Sequence, residues 1–184
     1  MIKNAIILHG SGSNPKSFWL PSISRYLLKN NYEVWAPLLP DAGQPDLKTW
    51  LPFVLGRGQF NSSTILIGHS AGSPLILSIL ENIPAVINQA ILVAGYARPL
   101  GQSKSNKSIL QDVYDWGKIK QHVSDIIFIN SDNDPWGCDY EEGLYMWHNI
   151  GGTLILRAEE GHMGSDLFHQ PYQEFPLLER IIKI

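Results

Sequence analysis

A serine flanked by glycines stands where the sequence pattern changes from strand-like to helix-like. Residues 68–72 read Gly-His-Ser-Ala-Gly, follow the apolar run Thr64–Ile67 and precede an apolar helical stretch. A strand, a sharp turn and a helix around such a pentapeptide lift the serine hydroxyl above the sheet edge. The glycines remove Cβ atoms that would collide with the neighbouring strand and helix. The pattern therefore predicts Ser70 as an activated nucleophile.

A second glycine-containing turn follows the first predicted strand. Residues 9–13 read His-Gly-Ser-Gly-Ser, and such small residues permit a tight turn whose N–H groups face a bound oxygen. Where a serine elbow of this type is present, one oxyanion-hole N–H comes from this loop and the other from the residue after the nucleophile. The predicted donors are therefore the amide of Ser11, or of Gly12, together with that of Ala71.

Two aspartates follow the fifth predicted strand and are candidates for a catalytic acid. Residues 130–136 read Asn-Ser-Asp-Asn-Asp-Pro-Trp. We predict that the acid is Asp134, which directly precedes the proline that starts the next segment, and Asp132 is the alternative. An aspartate in such a loop can also cap the helix that follows it.

One histidine lies in a glycine-flanked loop after the sixth predicted strand. Residues 159–164 read Glu-Glu-Gly-His-Met-Gly and contain His162. The chain order serine, acid, histidine is the order expected after a serine elbow of this kind. We expect His162 to take the proton of Ser70, while Asp134 holds the ring in the correct tautomer and stabilises the imidazolium.

Several side chains around these loops are candidates for a substrate pocket. Trp136 follows the acid loop, and Phe18 or Trp19 follows the oxyanion loop, where each could line an acyl pocket or belong to the core. His9 and His69 adjoin the site and are expected to support its loops rather than to carry protons. The candidate pocket residues are His9, Gly10, Gly12, Phe18, His69, Trp136 and Met163.

Alternating strand-like and helix-like segments position these loops. The strand-like runs are Ala5–His9, Glu33–Ala36, Thr64–Ile67, Gln89–Ala94, Asp125–Asn130 and Thr153–Arg157. The helix-like stretches are Trp19–Lys29, Leu47–Phe60, Ala71–Glu81, Gln111–His122, Cys138–Asn149 and Pro171–Ile184. Continuously apolar runs are typical of a parallel sheet covered on both faces. Ligand sites of such sheets lie beyond the carboxyl ends of the strands, where all the candidate loops fall.

The predicted fold is therefore a compact α/β-hydrolase fold, a mostly parallel, doubly wound sheet of about six strands with helices on both faces. The stretch 96–125, where larger hydrolases often place a lid domain, holds only about one helix. We therefore expect no large lid and a shallow, open pocket.

Composition and charge limit the class of protein. The 184 residues, 44% apolar and 17% charged, predict one globular domain spanning 1–184. A net charge of −3 gives no basic footprint for nucleic acid. Cys138 is the single cysteine, so it forms no internal disulfide, and its side chain is expected to be buried in the core.

The sequence contains no motif for a metal or a cofactor. Neither a zinc-site spacing nor a phosphate loop is present, so no metal or cofactor is expected. The absence of a signal-peptide core or bilayer-length run predicts a cytoplasmic protein with no membrane partner.

Motifs that carry a resemblance to a known family are spread over nearly the whole chain. They are His9-Gly10, Trp19-x-Pro21, Pro37-x-x-Pro40-Asp41, Trp50, Ile67-Gly68-His69-Ser70-Ala71-Gly72, Trp116-x-x-Ile119, Asp132-x-Asp134-Pro135 and Gly161-His162. On these residues the chain resembles the small serine hydrolases of the retinoblastoma-binding protein 9 and YdeN family. Together the motifs are far more specific than the serine pentapeptide alone.

The resemblance implies a compact α/β-hydrolase fold that lacks the first two strands of larger members. It also implies a triad of Ser70, Asp134 and His162, and serine-hydrolase activity toward small esters or as an aminopeptidase. A retinoblastoma-type partner is not expected, because the Leu-x-Cys-x-Glu motif is absent: Trp136 occupies the leucine position and an aspartate follows Cys138.

The residues together predict a serine hydrolase that acts by acyl transfer on a small ester, amide or peptide. Ser70 attacks the carbonyl carbon, and water later releases the acyl group from the enzyme. Two other functions fit the same residues. One is a catalytically silent binding or interaction protein on a hydrolase scaffold, and the other is an acyltransferase that passes the acyl group to an amine or alcohol.

Overall fold

The computed structural model of the protein describes residues 2–101 and 104–184. The strands are β1 (Asn4–Leu8), β2 (Glu33–Trp35), β3 (Ile65–His69), β4 (Gln89–Val93), β5 (Ile126–Ser131) and β6 (Thr153–Arg157). The helices are α1 (Leu20–Lys29), α2 (Leu47–Leu55), α3 (Gly72–Asn82), α4 (Trp116–Gln121), α5 (Tyr140–Ile150) and α6 (Pro176–Ile181), with a 3₁₀ helix at Lys104–Ile109.

All six strands lie in one parallel sheet, in the order β2-β1-β3-β4-β5-β6. Every residue of β1, β3, β4 and β5 is buried, whereas the edge strands β2 and β6 are partly exposed. Helices α2 to α5 pack side by side on one face, and α1 packs with α6 on the other. The predicted α/β-hydrolase fold is therefore confirmed.

Helix α3, which carries the serine elbow at its start, is the most deeply enclosed helix of the fold. Every residue from Gly72 to Glu81 is buried, because α3 contacts β3 and β4 on one side and the helices α2 and α4 on its flanks. An amphipathic helix would bury polar residues in this position. The nearly continuous apolar sequence of α3 instead suits a helix that is enclosed on all sides. The elbow is thus continuous with a helix that is packed on several sides.

Three predicted helices are longer than the observed ones by several residues. The stretch Leu47–Phe60 is helical only to Leu55, where Gly56 caps the helix. The stretch Gln111–His122 becomes helical only at Trp116, because the Asp115 side chain accepts the Lys118 N–H and fixes the start there. The predicted C-terminal helix Pro171–Ile184 is shortened to Pro176–Ile181, since Pro176 favours the first turn of a helix.

The connection between β4 and β5 contains little regular secondary structure. Its described residues contain only the 3₁₀ helix and α4. None of the described helices combines the length and the apolar character needed to cross a lipid bilayer.

Candidate active site

The serine elbow lies at the carboxyl end of β3, in the centre of the sheet. Ser70 has a φ of 52°, a conformation that non-glycine residues rarely adopt. Its N–H donates to the Val93 carbonyl at 2.9 Å, and its carbonyl accepts the Ser73 N–H at 2.9 Å. These two bonds hold the strained backbone between β4 and the first turn of α3.

The flanking glycines are required by close backbone contacts. A Cβ at Gly68 would lie 2.6 Å from the Gly72 carbonyl oxygen, and a Cβ at Gly72 would lie 2.4 Å from the Leu8 carbonyl oxygen. Both distances are far inside van der Waals contact, and the atoms met belong to backbone that cannot move aside cheaply. The G-x-S-x-G spelling therefore permits α3 to pack directly on β1 and β3.

Replacing Gly72 with alanine is expected to lower the free energy of unfolding by about 3 kcal/mol, because the added methyl group forces β1 and α3 apart. Urea unfolding at neutral pH measures the loss. The matched control is Gly43→Ala, where the added Cβ meets nothing within 4 Å. Equal stability of the two variants would contradict the steric role given to Gly72.

The acid and base candidates meet in the structure. Nδ1 of His162 lies 2.7 Å from Oδ2 of Asp134, and both side chains are buried. The second carboxylate oxygen of Asp134 accepts the Trp136 N–H at 2.8 Å, which fixes the carboxylate plane. Asp132 is exposed instead, and its Oδ1 accepts the N–H of Glu159 at 2.7 Å. The structure therefore brings Asp134, and not Asp132, to the histidine.

The loop that carries His162 is tied down by side chains from other segments. Asn133 Oδ1 accepts the Gly161 N–H at 2.7 Å, and Gln170 Oε1 accepts the His162 N–H at 2.9 Å. The indole N–H of Trp19 donates to the Met163 carbonyl at 2.9 Å. Trp19 is thus a fully buried support rather than a pocket wall. Asn133 and Gln170 were not predicted from the sequence, because nothing in a local pattern indicates such distant contacts.

Two buried imidazoles support the site from behind. His9 donates from Nδ1 to the Gly10 carbonyl at 2.8 Å and accepts the Leu39 N–H on Nε2 at 2.9 Å, so it is neutral in this arrangement. Burial lowers the pKa of His9. His69 is fully buried, and this burial, together with the neighbouring His162, lowers the pKa of His69 to about 3.

The lowered pKa of His69 predicts acid sensitivity of the fold. The unfolded chain binds a proton at this side chain near pH 6.5, whereas the folded chain does so only near pH 3. The stabilisation is therefore complete above pH 6.5 and is lost as the pH falls toward 3, by about 2 kcal/mol at pH 5. We expect His69→Gln to show a flatter dependence of unfolding free energy on pH, measured by urea unfolding between pH 7 and pH 4. An identical pH slope in both proteins would contradict this.

Three backbone N–H groups are candidate donors to a bound oxygen, those of Ser11, Gly12 and Ala71. The Gly12 N–H donates to the Ala42 carbonyl at 2.7 Å, so it is not available to a ligand. The N–H groups of Ser11 and Ala71 have no acceptor among the described residues. Of the two alternatives in the first loop, the structure therefore leaves Ser11 as the free donor.

A cavity of about 670 Å³ opens beside Ser70. It is lined by the serine, by His162 and by residues of six loops. The other lining residues are Gly10, Ser11, Gly12, Ser13, Phe18, Gly43, Gln44, Pro45, His69, Tyr96, Leu100, Ser108, Ile109, Trp136, Cys138, Gly164, Ser165, Asp166 and Leu167. Trp136 and Leu167 are exposed, so the cavity is open to solvent on their side.

The pocket prediction needs correction at two positions. Gly10, Gly12, Phe18, His69 and Trp136 line the cavity as predicted. His9 and Met163 do not, because the ring of His9 is buried against Leu39 and the side chain of Met163 points into the core.

Ser70 and His162 line the same cavity. No hydrogen bond joins the hydroxyl of Ser70 to the ring of His162 or to any other side chain in the described part of the chain. Hydrogen bonds between such groups often form fully only when substrate is bound. The hydroxyl and the oriented imidazole thus line one cavity, and Ser11, whose N–H is free among the described residues, lines it as well.

One set of side chains could hold a cation. Ligand atoms of Asp134, Cys138 and His162 all lie within 4.8 Å of one another, the only such group among the described residues. Burial raises the pKa of the Cys138 thiol well above its usual value, so the sulfur is held in the protonated form that binds metals poorly. The carboxylate and the imidazole already bond to each other, and a cation would have to break that bond. The group therefore fits an acid–base pair better than a metal centre.

Comparisons with known proteins identify the family and the fold. Residues 5–180 match the family model described as "Serine hydrolase". YdeN of Bacillus subtilis, a hydrolase by name, is 28% identical over 137 residues, which cover 73% of this chain and 72% of YdeN. Serine hydrolase RBBP9 of Rattus norvegicus is 26% identical over 140 residues, covering 76% and 74% of the two chains. The crystal structure of YdeN superimposes with a TM-score of 0.88 at 24% identity, over 97% of this chain and 96% of YdeN. The protein therefore belongs to the serine hydrolase family, with the fold of YdeN.

Proposed function

We propose that the protein hydrolyses small esters or amides through an acyl-enzyme on Ser70. The observation that carries this proposal is the buried 2.7 Å hydrogen bond between Asp134 and His162, since His162 lines the same cavity as Ser70. In the neutral ring this bond selects the tautomer with the proton on Nδ1 of His162, which leaves the lone pair on Nε2 that a general base requires.

The reaction begins when the Ser70 hydroxyl attacks the substrate carbonyl carbon. Nε2 of His162 takes the hydroxyl proton, and Asp134 stabilises the imidazolium that results. The imidazolium then protonates the leaving alcohol or amine, which departs and leaves an ester on Ser70. Water attacks this ester with His162 again as base, which releases the acid and restores the hydroxyl.

Backbone N–H groups stabilise the negative charge that develops on the substrate carbonyl oxygen. The N–H groups of Ser11 and Ala71 are the proposed oxyanion hole, since both lack another acceptor. Ala71 also stands at the start of the 11-residue helix α3, so the positive end of its dipole faces the same oxygen. Donors that are fixed before the reaction stabilise the transition state without reorganisation.

The cavity walls favour neutral or cationic substrates of modest size. The walls are mainly small and aromatic residues, among them Phe18, Tyr96 and Trp136. Asp166 is the one carboxylate in the described lining, which contains no lysine or arginine. A substrate with a free carboxylate would therefore lack a counter-charge and face repulsion from Asp166.

The Asp166 carboxylate also favours a second candidate within the same chemistry, the cleavage of amides that bear a free amino group. A matched pair of aminoacyl-coumarin amides, one with a free and one with an acetylated amino group, separates the two activities. Preference for the free amine that disappears in Asp166→Asn would support the aminopeptidase candidate. Equal rates on the two amides would contradict the aminopeptidase candidate, and esterase activity would be the one that remains proposed.

The proposed nucleophile is tested by labelling with a fluorophosphonate probe and locating the modified peptide by mass spectrometry. We expect rapid labelling at Ser70, none in Ser70→Ala and unchanged labelling in Ser13→Ala, a control in another serine of the cavity wall. A folded wild-type protein that is not labelled would refute the proposal and favour a binding protein on a hydrolase scaffold.

A further inference from the structure

His69 connects the two halves of the proposed catalytic pair. It directly precedes Ser70 in the chain, and its Nε2 lies 2.9 Å from the backbone carbonyl oxygen of His162, 93 residues away. One covalent bond therefore ties His69 to the nucleophile, and one hydrogen bond ties it to the main chain of the base. No other described side chain bridges these two residues so directly.

The chemistry of this contact fixes the state of the ring. A carbonyl oxygen only accepts hydrogen bonds, so Nε2 of His69 must carry the proton and donate it. Nδ1 then has no proton, and it has no hydrogen-bond partner among the described residues. The ring is a neutral, single-donor imidazole.

Aromatic packing holds the ring in this orientation. Its centroid lies 5.9 Å from that of Phe18 and 5.8 Å from that of Trp19, both in edge contacts, and 4.9 Å from the ring of His162. The side chain is fully buried by these neighbours. The ring thus cannot turn away from the His162 carbonyl without opening the core.

We infer that His69 is a positioning residue, which sets the separation between Ser70 and the ring of His162 through its hydrogen bond to the His162 carbonyl. The inference rests on the proposed function, since it concerns the geometry of that reaction. A misplacement of about 1 Å between reacting groups can cost on the order of 100-fold in rate. A single donor at this point therefore has a large effect.

The absence of charge on His69 also favours the proposed reaction. His162 becomes positively charged during the reaction, and a second positive ring at a centroid distance of 4.9 Å would oppose that charge. Burial lowers the pKa of His69 to about 3, so this ring stays neutral at neutral pH.

The test compares three variants of the full chain. His69→Phe keeps a ring but removes the donor, and His69→Gln restores an N–H near the position of Nε2. His122→Phe is the matched control, because Nδ1 of His122 also bonds a backbone carbonyl, that of Leu80, at 2.8 Å and away from the site. The measurements are kcat and KM on a p-nitrophenyl ester, the rate of fluorophosphonate labelling, and Tm.

We expect His69→Phe to lower kcat and the labelling rate by roughly 10- to 100-fold with KM within about twofold of the wild type. His69→Gln should recover most of the loss. His122→Phe should lower Tm while kcat stays near the wild-type value.

Two results would overturn the inference. One is a His69→Phe protein whose activity equals that of His122→Phe at temperatures well below both Tm values. The other is a His69→Gln protein no better than His69→Phe, which would mean that volume and not the donor matters. A wild-type protein without labelling at Ser70 would instead refute the proposed function, so the two failures are distinguishable.

Discussion

Ester turnover by Ser70→Ala is expected to be about 10⁵-fold lower than by the wild type, the largest effect of any single substitution in this chain. Without the hydroxyl no acyl-enzyme forms, and only binding and the oxyanion donors remain to accelerate attack by water. Alanine keeps the Cβ that the elbow already accommodates, so the fold is expected to survive. The measurement is kcat/KM on p-nitrophenyl esters, with Tm recorded for both proteins.

Contaminating esterase is the main hazard in measuring so low a rate. Purifying Ser70→Ala and Ser13→Ala in parallel controls for it, because the second variant should retain near-wild-type turnover. A Ser70→Ala protein with more than a few per cent of wild-type turnover would mean that the chemistry does not pass through this serine.

Asp134→Asn should lower kcat by about 10⁴-fold with little change in KM. The amide removes the negative charge that stabilises the imidazolium and favours the wrong tautomer of His162. Asp132→Asn, two residues earlier, should change kcat by no more than a few-fold, since the carboxylate of Asp132 only accepts the Glu159 N–H. Both variants are compared by steady-state kinetics on the same ester.

The pair of aspartate variants also separates chemistry from loop order. Loss of Asp132 weakens one bond of the loop connection and is expected to appear in Tm rather than in kcat. Equal kinetic losses in the two variants would mean that the whole acid loop, and not the Asp134 carboxylate, limits activity.

Both large effects depend on loops that come from distant parts of the sequence. The elbow, the acid and the histidine follow β3, β5 and β6, and the free N–H of Ser11 follows β1. A parallel sheet brings the carboxyl ends of all its strands to one edge, so residues far apart in sequence meet there without a long loop.

The sequence by itself determined the sheet and the chemistry of its loops. The runs that form β1, β3 and β4 are recognisable because strands buried on both faces must be apolar throughout. The elbow around Ser70 is recognisable because only glycine tolerates the contacts beside it. His162 and the loop that holds Asp132 and Asp134 are recognisable from their places after β6 and β5. All of these signals are local, so they can be read without knowing the packing.

The ends of the helices are harder to predict from local sequence patterns. The start of α4 depends on whether the Asp115 side chain caps it, and the end of α2 depends on a single glycine after Leu55. Propensity and periodicity change little across these positions, so the sequence pattern extends each helix too far.

Only the tertiary structure decided how the loops use their polar groups. It placed Asp134 rather than Asp132 against His162, and it engaged the Gly12 N–H with Ala42 so that Ser11 remained free. Each outcome depends on one hydrogen bond between segments tens of residues apart.

The same reason explains the supporting residues. Gln170 and His69 hold the backbone of His162, and Met163 turns into the core instead of the cavity. Such contacts depend on distances set by the packing of the whole sheet and its helices, and no periodicity or turn signal in the chain encodes them. Local patterns therefore specified the candidate reactive groups, and long-range packing specified how they are held.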